Sequence, residues 1–161
     1  MSELSEVFAY SAPMDAVTIQ KVLPHRYPFL FVDRITELGL NTVKGFKNIS
    51  FNEEVFQGHF PGEPVFPGVL QIELIAQVGA CWILSRRENL GKIAYLMTVE
   101  SAKFRRPAKP GMRLDVHGLI TSYKRRVGKL EGEIYCDGEL VSSANLLFAF
   151  QKEDNGSGTA D

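Results

Sequence analysis

Between residues 127 and 136 the side chains alternate, with Leu130, Gly132, Ile134 and Cys136 on one face and Lys129, Glu131, Glu133 and Tyr135 on the other. A period of two predicts a half-buried strand. Further strands are predicted over 93–104, 112–123 and 139–150, the last with Leu140, Ala144, Leu146, Phe148 and Phe150 on one face. Asp137-Gly138 joins the final two strands as a two-residue hairpin. Upstream, 29–38 and 42–51 are rich in β-branched and aromatic residues, with Gly39 and Asn41 as turn formers between them. Two segments break this pattern. A short helix is predicted over 15–23, capped by Asp15 and ended by Pro24, with Val17, Val22 and Leu23 sharing a face. A longer helix opens at Pro67-Gly68 and stays apolar on nearly every side until Ser85, Arg86 and Arg87. A helix apolar all round must be surrounded. The order β-β-α-β-β-β-β therefore predicts an α+β fold, a curved antiparallel sheet wrapped round one central helix. The loop before that helix, 52–67, holds three prolines and two glycines.

At 161 residues the chain has room for one domain with a real core. We place it at 14–151, between a flexible segment 1–13 and a loose polar tail 152–161. The 18 basic and 19 acidic residues sum to −1, which removes the positive field of a non-specific nucleic-acid binder. The stretch 69–84 is interrupted by Gln71, Glu73 and Gln77, so it reads as a buried helix and not as a membrane span. The first residues are acidic where an export signal carries positive charge. Cys81 and Cys136 form no CxxC pair, which suits a reducing compartment, and a cytoplasmic location is the expectation.

Of three histidines, His117 falls in the same alternation class as Arg113 and Asp115 and reads as an exposed strand residue. His25 stands in a turn between Pro24 and Pro28, where a structural role is the expectation. His59 lies in Gly58-His59-Phe60-Pro61-Gly62, where glycines permit close approach of a ligand. Spacing alone leaves a satisfied loop histidine and a catalytic base side by side. Glu73 tilts the balance, because a carboxylate among Ile72, Leu74, Ile75 and Ala76 must be paired, hydrogen-bonded or protonated. The other reading of Glu73 is a carboxyl held in a polar seam by Gln77 one turn on. The first amides of the long helix, at Gly68 and Val69, point outward with the positive dipole end and suit a carbonyl oxygen. A histidine base, an amide for a carbonyl and a carboxylic acid are what loss of a β-hydroxyl next to a carbonyl requires. No phosphate-binding glycine loop, G-x-S-x-G or H-E-x-x-H is present, so neither metal nor nucleotide is expected.

Leu-Pro-His-Arg-Tyr-Pro-Phe-Leu at 23–30, Gln-Gly-His-Phe-Pro-Gly at 57–62 and Pro-Gly-Val-Leu-Gln-Ile-Glu at 67–73 resemble the (3R)-3-hydroxyacyl-[acyl-carrier-protein] dehydratases of bacterial-type fatty acid synthesis. The resemblance runs from about Thr18 to Phe150. It implies a hotdog fold, a homodimer commonly built into a trimer of dimers, and elimination of water without metal or organic cofactor. It further implies His59 and Glu73 as the catalytic pair, from opposite subunits, with the Gly68 amide on the thioester oxygen. Glutamate at 73, where the isomerising sister enzymes carry aspartate, implies a non-isomerising enzyme. Tyr95 resembles the tyrosine that gates the acyl tunnel, and Phe60 and Phe66 are candidates for its wall. Phe66 stands where methionine is common and Leu74-Ile75 where Ala-Met is usual, which bears on tunnel shape. The implied partner is an acidic acyl carrier protein, for which Lys103, Arg105, Arg106 and Lys109, with Arg113 beside them, form the expected basic surface. Two other classes fit parts of the pattern: a hotdog thioesterase and a non-catalytic acyl-binding module.

Overall fold

The computed structural model describes residues 3–150. Its elements are α1 (Glu3–Val7), α2 (Ala16–Val22), β1 (Arg34–Leu38), β2 (Thr42–Asn48), α3 (Gly68–Leu84), β3 (Ala94–Phe104), β4 (Arg113–Lys124), β5 (Val127–Cys136) and β6 (Glu139–Phe150). The strands form one sheet in the order β1-β2-β4-β5-β6-β3, every pair antiparallel. The sheet curves round α3, whose Leu74, Ile75, Val78, Cys81, Trp82, Ile83 and Leu84 are buried.

Small residues let helix and sheet approach closely. Gly118, Gly132, Ala144 and Ala102 face one another in register across β4, β5, β6 and β3. A Cβ at Gly132 would stand 2.1 Å from Ile75 Cγ2, and one at Gly79 would stand 2.3 Å from Leu130 Cδ2. Side chain and backbone thus interlock through glycines on both surfaces. Gly132→Ala is expected to destabilise the domain by about 1–3 kcal/mol, the usual cost of overpacking a filled core. A urea melt at unchanged slope measures it; a stability equal to the parent would show that α3 can shift outward freely.

Three sequence expectations change. The first strand was expected over 29–38, but only Arg34–Leu38 joins the ladder. The Gln77 side chain instead serves the preceding stretch, accepting from Phe31 N at 2.9 Å and donating to Phe29 O at 2.7 Å. Propensity cannot reveal a strand partner that is a glutamine on a helix. In α2, Asp15 caps the first turn by accepting from Thr18 N at 2.8 Å, and that amide bond holds its carboxyl below the usual range. The buried face of α2, however, is Ile19 and Val22, while Val17 is 64% exposed. The stretch 3–13, set apart as flexible, is docked: Phe8 is buried edge-on against Trp82, and Ala9 N donates to Ser85 O at 2.8 Å. The Arg86 guanidinium lies over the rings of Phe8, Trp82 and Tyr123. The apolar residues of this stretch follow no clear period, so only tertiary partners fix Phe8. The tail 152–161 lies outside the described residues.

Candidate active site

The loop that carries His59 is pinned at its start. Lys47, buried, pairs with Glu53 at 2.9 Å, and Glu53 also accepts from Ser50 N at 3.0 Å. A single 3-10 turn, Glu54–Gln57, then leads into Gly58. His59 N donates to Val55 O, Val65 N donates to His59 O, and Phe60 and Glu63 exchange two backbone bonds. Gly62 has φ +79°, a conformation that favours glycine in this tight turn. His59 Nδ1 lies 2.6 Å from Val65 O. A carbonyl only accepts, so Nδ1 carries the proton and the neutral ring keeps a lone pair on Nε2. Phe60 stacks on the imidazole at 3.9 Å between centroids and is half exposed.

The same loop ends at the start of α3. Among the described residues the N–H groups of Gly68 and Val69 meet no backbone acceptor, whereas Leu70 N and Gln71 N donate to Pro67 O. A Cβ at Gly68 would come 3.0 Å from the Phe104 ring, so glycine lets that ring lie against the helix end. Arg105 and Arg106 line the shallow groove beside it. Phe66 also borders this groove, with its side chain wholly buried, edge-on to Phe31 and under Lys47 Nζ.

Glu73 stands on another side of the helix. Five residues at about 100° each turn it roughly 140° from Gly68 and advance it about 7.5 Å along the axis. Gln77 Nε2 donates to Glu73 Oε1 at 2.8 Å, and His25 Nε2 lies 3.4 Å from the same oxygen. The polar seam of the second reading is therefore present, and it is richer than one glutamine. Glu73 lines a cavity of about 270 Å³ together with Ala76, Ala80 and Ile83 of the same helix and Leu130, Leu146 and Phe148 of the sheet. Tyr95 of β3 also lines it and is 46% exposed. His59 does not line this cavity. The folded chain thus carries His59 and the helix-start amides in one place, and Glu73 with a largely apolar cavity in another. His25 and Gln77 are the two residues that sequence reasoning left outside the site: the spacing of Gln77 pointed to Glu73, but the turn context of His25 gave no sign that it meets the same carboxyl oxygen.

His117 is exposed on β4, opposite Lys44 and Glu133, as its alternation class implied. The basic cluster is partly neutralised: Arg106 pairs with Glu139, Lys109 with Glu63 and Arg113 with Asp115. Among the described residues Lys103 and Arg105 meet no carboxylate; both are exposed, and Arg105 Nη1 donates to Ser143 Oγ at 3.1 Å. Tyr27 Oη donates to Glu54 Oε1 at 2.7 Å, tying the His25 loop to the His59 loop, and that bond raises the phenol above its ordinary range. Among the described residues no three His, Cys, Asp or Glu side chains gather as metal ligands do, and no helix is long and apolar enough to cross a membrane.

A single long helix gripped by a curved antiparallel sheet defines a hotdog domain. Solved structures of this architecture include the dehydratase heterocomplex ApeI:P from Xenorhabdus doucetiae, with a TM-score of 0.74 at 20% identity, covering 84% of this chain and 91% of that one. The PaaI protein of the E. coli phenylacetic acid degradation operon follows with a TM-score of 0.57 at 15% identity, covering 71% and 80%. The model of the FabA-like domain matches residues 23–145. The 3-hydroxyacyl-[acyl-carrier-protein] dehydratase FabZ of a Nitratiruptor species is 45% identical over 140 residues, 83% of this chain and 95% of that protein. The protein of the same name from Syntrophomonas wolfei is 50% identical over 133 residues, 81% and 92%. The chain belongs to this family of 3-hydroxyacyl-[acyl-carrier-protein] dehydratases, hydro-lyases of fatty acid biosynthesis.

Proposed function

We propose that the chain removes water from a (3R)-3-hydroxyacyl thioester held on an acyl carrier protein, giving the trans-2-enoyl thioester, in sites that each combine His59 of one subunit with Glu73 of a second. Neutral His59 takes the C2 proton on Nε2. The C2–H electrons form the C2=C3 bond, the C3–O bond breaks, and protonated Glu73 supplies the proton with which the hydroxyl leaves as water. The Gly68 N–H steadies the charge that grows on the thioester oxygen, an effect worth about 3–4 kcal/mol at comparable oxyanion donors. A proton returned from His59 to Glu73 resets the site. The observation that carries this reading is the Nδ1 bond to Val65 O, because it leaves Nε2 free as a base. Phe60 and Tyr95 flank the reacting centre, and the cavity past Ala80 receives the acyl tail.

The homodimer draws support from β3. It is an edge strand of eleven residues on which Tyr95, Leu96, Met97, Val99 and Phe104 are each at least 41% exposed. Such an edge invites pairing with a second copy. Three dimers then make the hexamer that the resemblance implies, and two buried free thiols accord with a cytoplasmic location.

Mass spectrometry of a carrier-bound 3-hydroxyacyl substrate tests the chemistry. Loss of water from the intact thioester is expected; release of free acid and carrier thiol would make the protein a thioesterase, and an unchanged thioester an acyl-binding module. The carrier's acidic surface meets Lys103 and Arg105, which, unlike Arg106, Lys109 and Arg113 of the same cluster, meet no carboxylate among the described residues. Lys103→Glu with Arg105→Glu is expected to raise KM for carrier-bound substrate about tenfold at low salt, with a smaller effect at high salt. A short pantetheine thioester should be turned over as by the parent. Equal losses on both substrates would move the carrier's footprint elsewhere.

A further inference from the structure

We propose that His25 is a positioning residue for Glu73: its Nε2–H, together with the Gln77 amide, holds Glu73 Oε1 as an acceptor, so that Oε2 is the oxygen that hands its proton to the leaving hydroxyl. The inference rests on the acid role given to Glu73 above.

Geometry assigns the two carboxyl oxygens different work. Gln77 Nε2 and His25 Nε2 both approach Oε1, at 2.8 Å and 3.4 Å. The second distance is long for a hydrogen bond, and contacts at catalytic groups commonly tighten only in the Michaelis complex. A proton on Oε1 would face two N–H donors, so the acidic proton resides on Oε2. His25 is suited to this by its other nitrogen. Nδ1 is buried with no hydrogen-bond partner, so a proton placed there would be an unsatisfied buried donor, whereas one on Nε2 has a carboxyl oxygen in front of it.

The ring is held from three directions. Arg26 Nη1 donates to Leu23 O at 2.8 Å and to His25 O at 2.7 Å, while its Nη2 donates to Gln20 O at 2.8 Å, fixing the backbone at the end of α2. Phe29 stacks on the imidazole, 6.4 Å between centroids and 20° between planes. Gln77, in turn, binds the carbonyl of Phe29 and the amide of Phe31. One glutamine therefore fixes both the carboxyl and the loop that brings His25 to it.

The test compares substitutions at His25 on the assembled enzyme with carrier-bound substrate. His25→Ala is expected to lower kcat about tenfold, the equivalent of one hydrogen bond to an ionisable group, with KM within about twofold. In His25→Gln the side-chain amide reaches the place of Nε2–H, and most of kcat should return. In His25→Asn the amide stops near Nδ1, and kcat should stay low. Adding His25→Ala to Glu73→Gln should cost nothing further, since no proton remains to be placed. Equal kcat in the glutamine and asparagine variants, unchanged kcat in His25→Ala, or a full additional loss in the Glu73→Gln background would each overturn the proposal. The glutamine–asparagine pair, compared at equal melting temperature, decides even where the alanine variant fails to fold. Near-parent activity in Glu73→Gln alone would instead sink the acid role on which the inference rests.

Discussion

His59→Ala is expected to lower kcat on carrier-bound 3-hydroxyacyl substrate by at least about a hundredfold, and Glu73→Gln by a similar factor, the lower range for positioned acid–base groups. The two losses have different physical sources. Alanine at 59 removes the only nitrogen lone pair that the loop aims outward, since Nδ1 is committed to Val65 O. Backbone bonds from His59 N to Val55 O and from Val65 N to His59 O do not involve the ring, so the loop keeps its path. Glutamine at 73 preserves shape and still accepts from Gln77, but it has no proton to give. Both variants should therefore melt close to the parent temperature. Turnover near the parent rate by either variant, on verified folded protein, would remove that residue from the mechanism.

How much of this was legible in the residues differs by element. Alternation over β5 and β6 and the Asp137-Gly138 turn gave those strands to within a residue, because each strand has one buried face and period two reports burial directly. The stretch 29–33 has equal β propensity, yet it pairs with the Gln77 side chain, a contact 46 and 48 residues away that local pattern cannot carry. Residue 66 shows the same limit at the site. An apolar side chain beside the His59 loop could be exposed or buried on local pattern alone, and only the positions of Phe31 and Lys47 bury Phe66. His59 and Glu73 stood out as candidates because a carboxyl in an apolar helix is costly to leave unpaired, whereas the flanked loop histidine, taken alone, kept its structural reading. His25 did not stand out, since a histidine between two prolines has an ordinary reading as turn, and its contact with Glu73 arises only when α2 packs on α3.

Mixing His59→Ala with Glu73→Gln, each inactive alone, is expected to restore activity approaching half the parent rate per heterodimer once subunits exchange. The argument begins inside one chain. Gly68 and Glu73 project from α3 about 140° apart, and the cavity that Glu73 opens is lined by His25, Tyr95 and Ala80 but not by His59. A thioester bound at the Gly68 amide with C2 at His59 Nε2 must bring C3 within hydrogen-bond reach of a carboxyl, and its tail must enter an apolar channel. In the proposed dimer, a second copy paired along the exposed edge of β3 is to supply both, by bringing its own Glu73 and channel to the first copy's His59. In the mixed dimer, one site then holds both intact groups and the other holds neither. Were each site built within one chain, every site in the mixture would lack a group and no activity would return. Tagging the two variants differently and purifying the doubly tagged species makes the readout specific to heterodimers. Inactive heterodimers would confine the site to one chain, and α3 would then have to turn on binding to bring Glu73 round to His59.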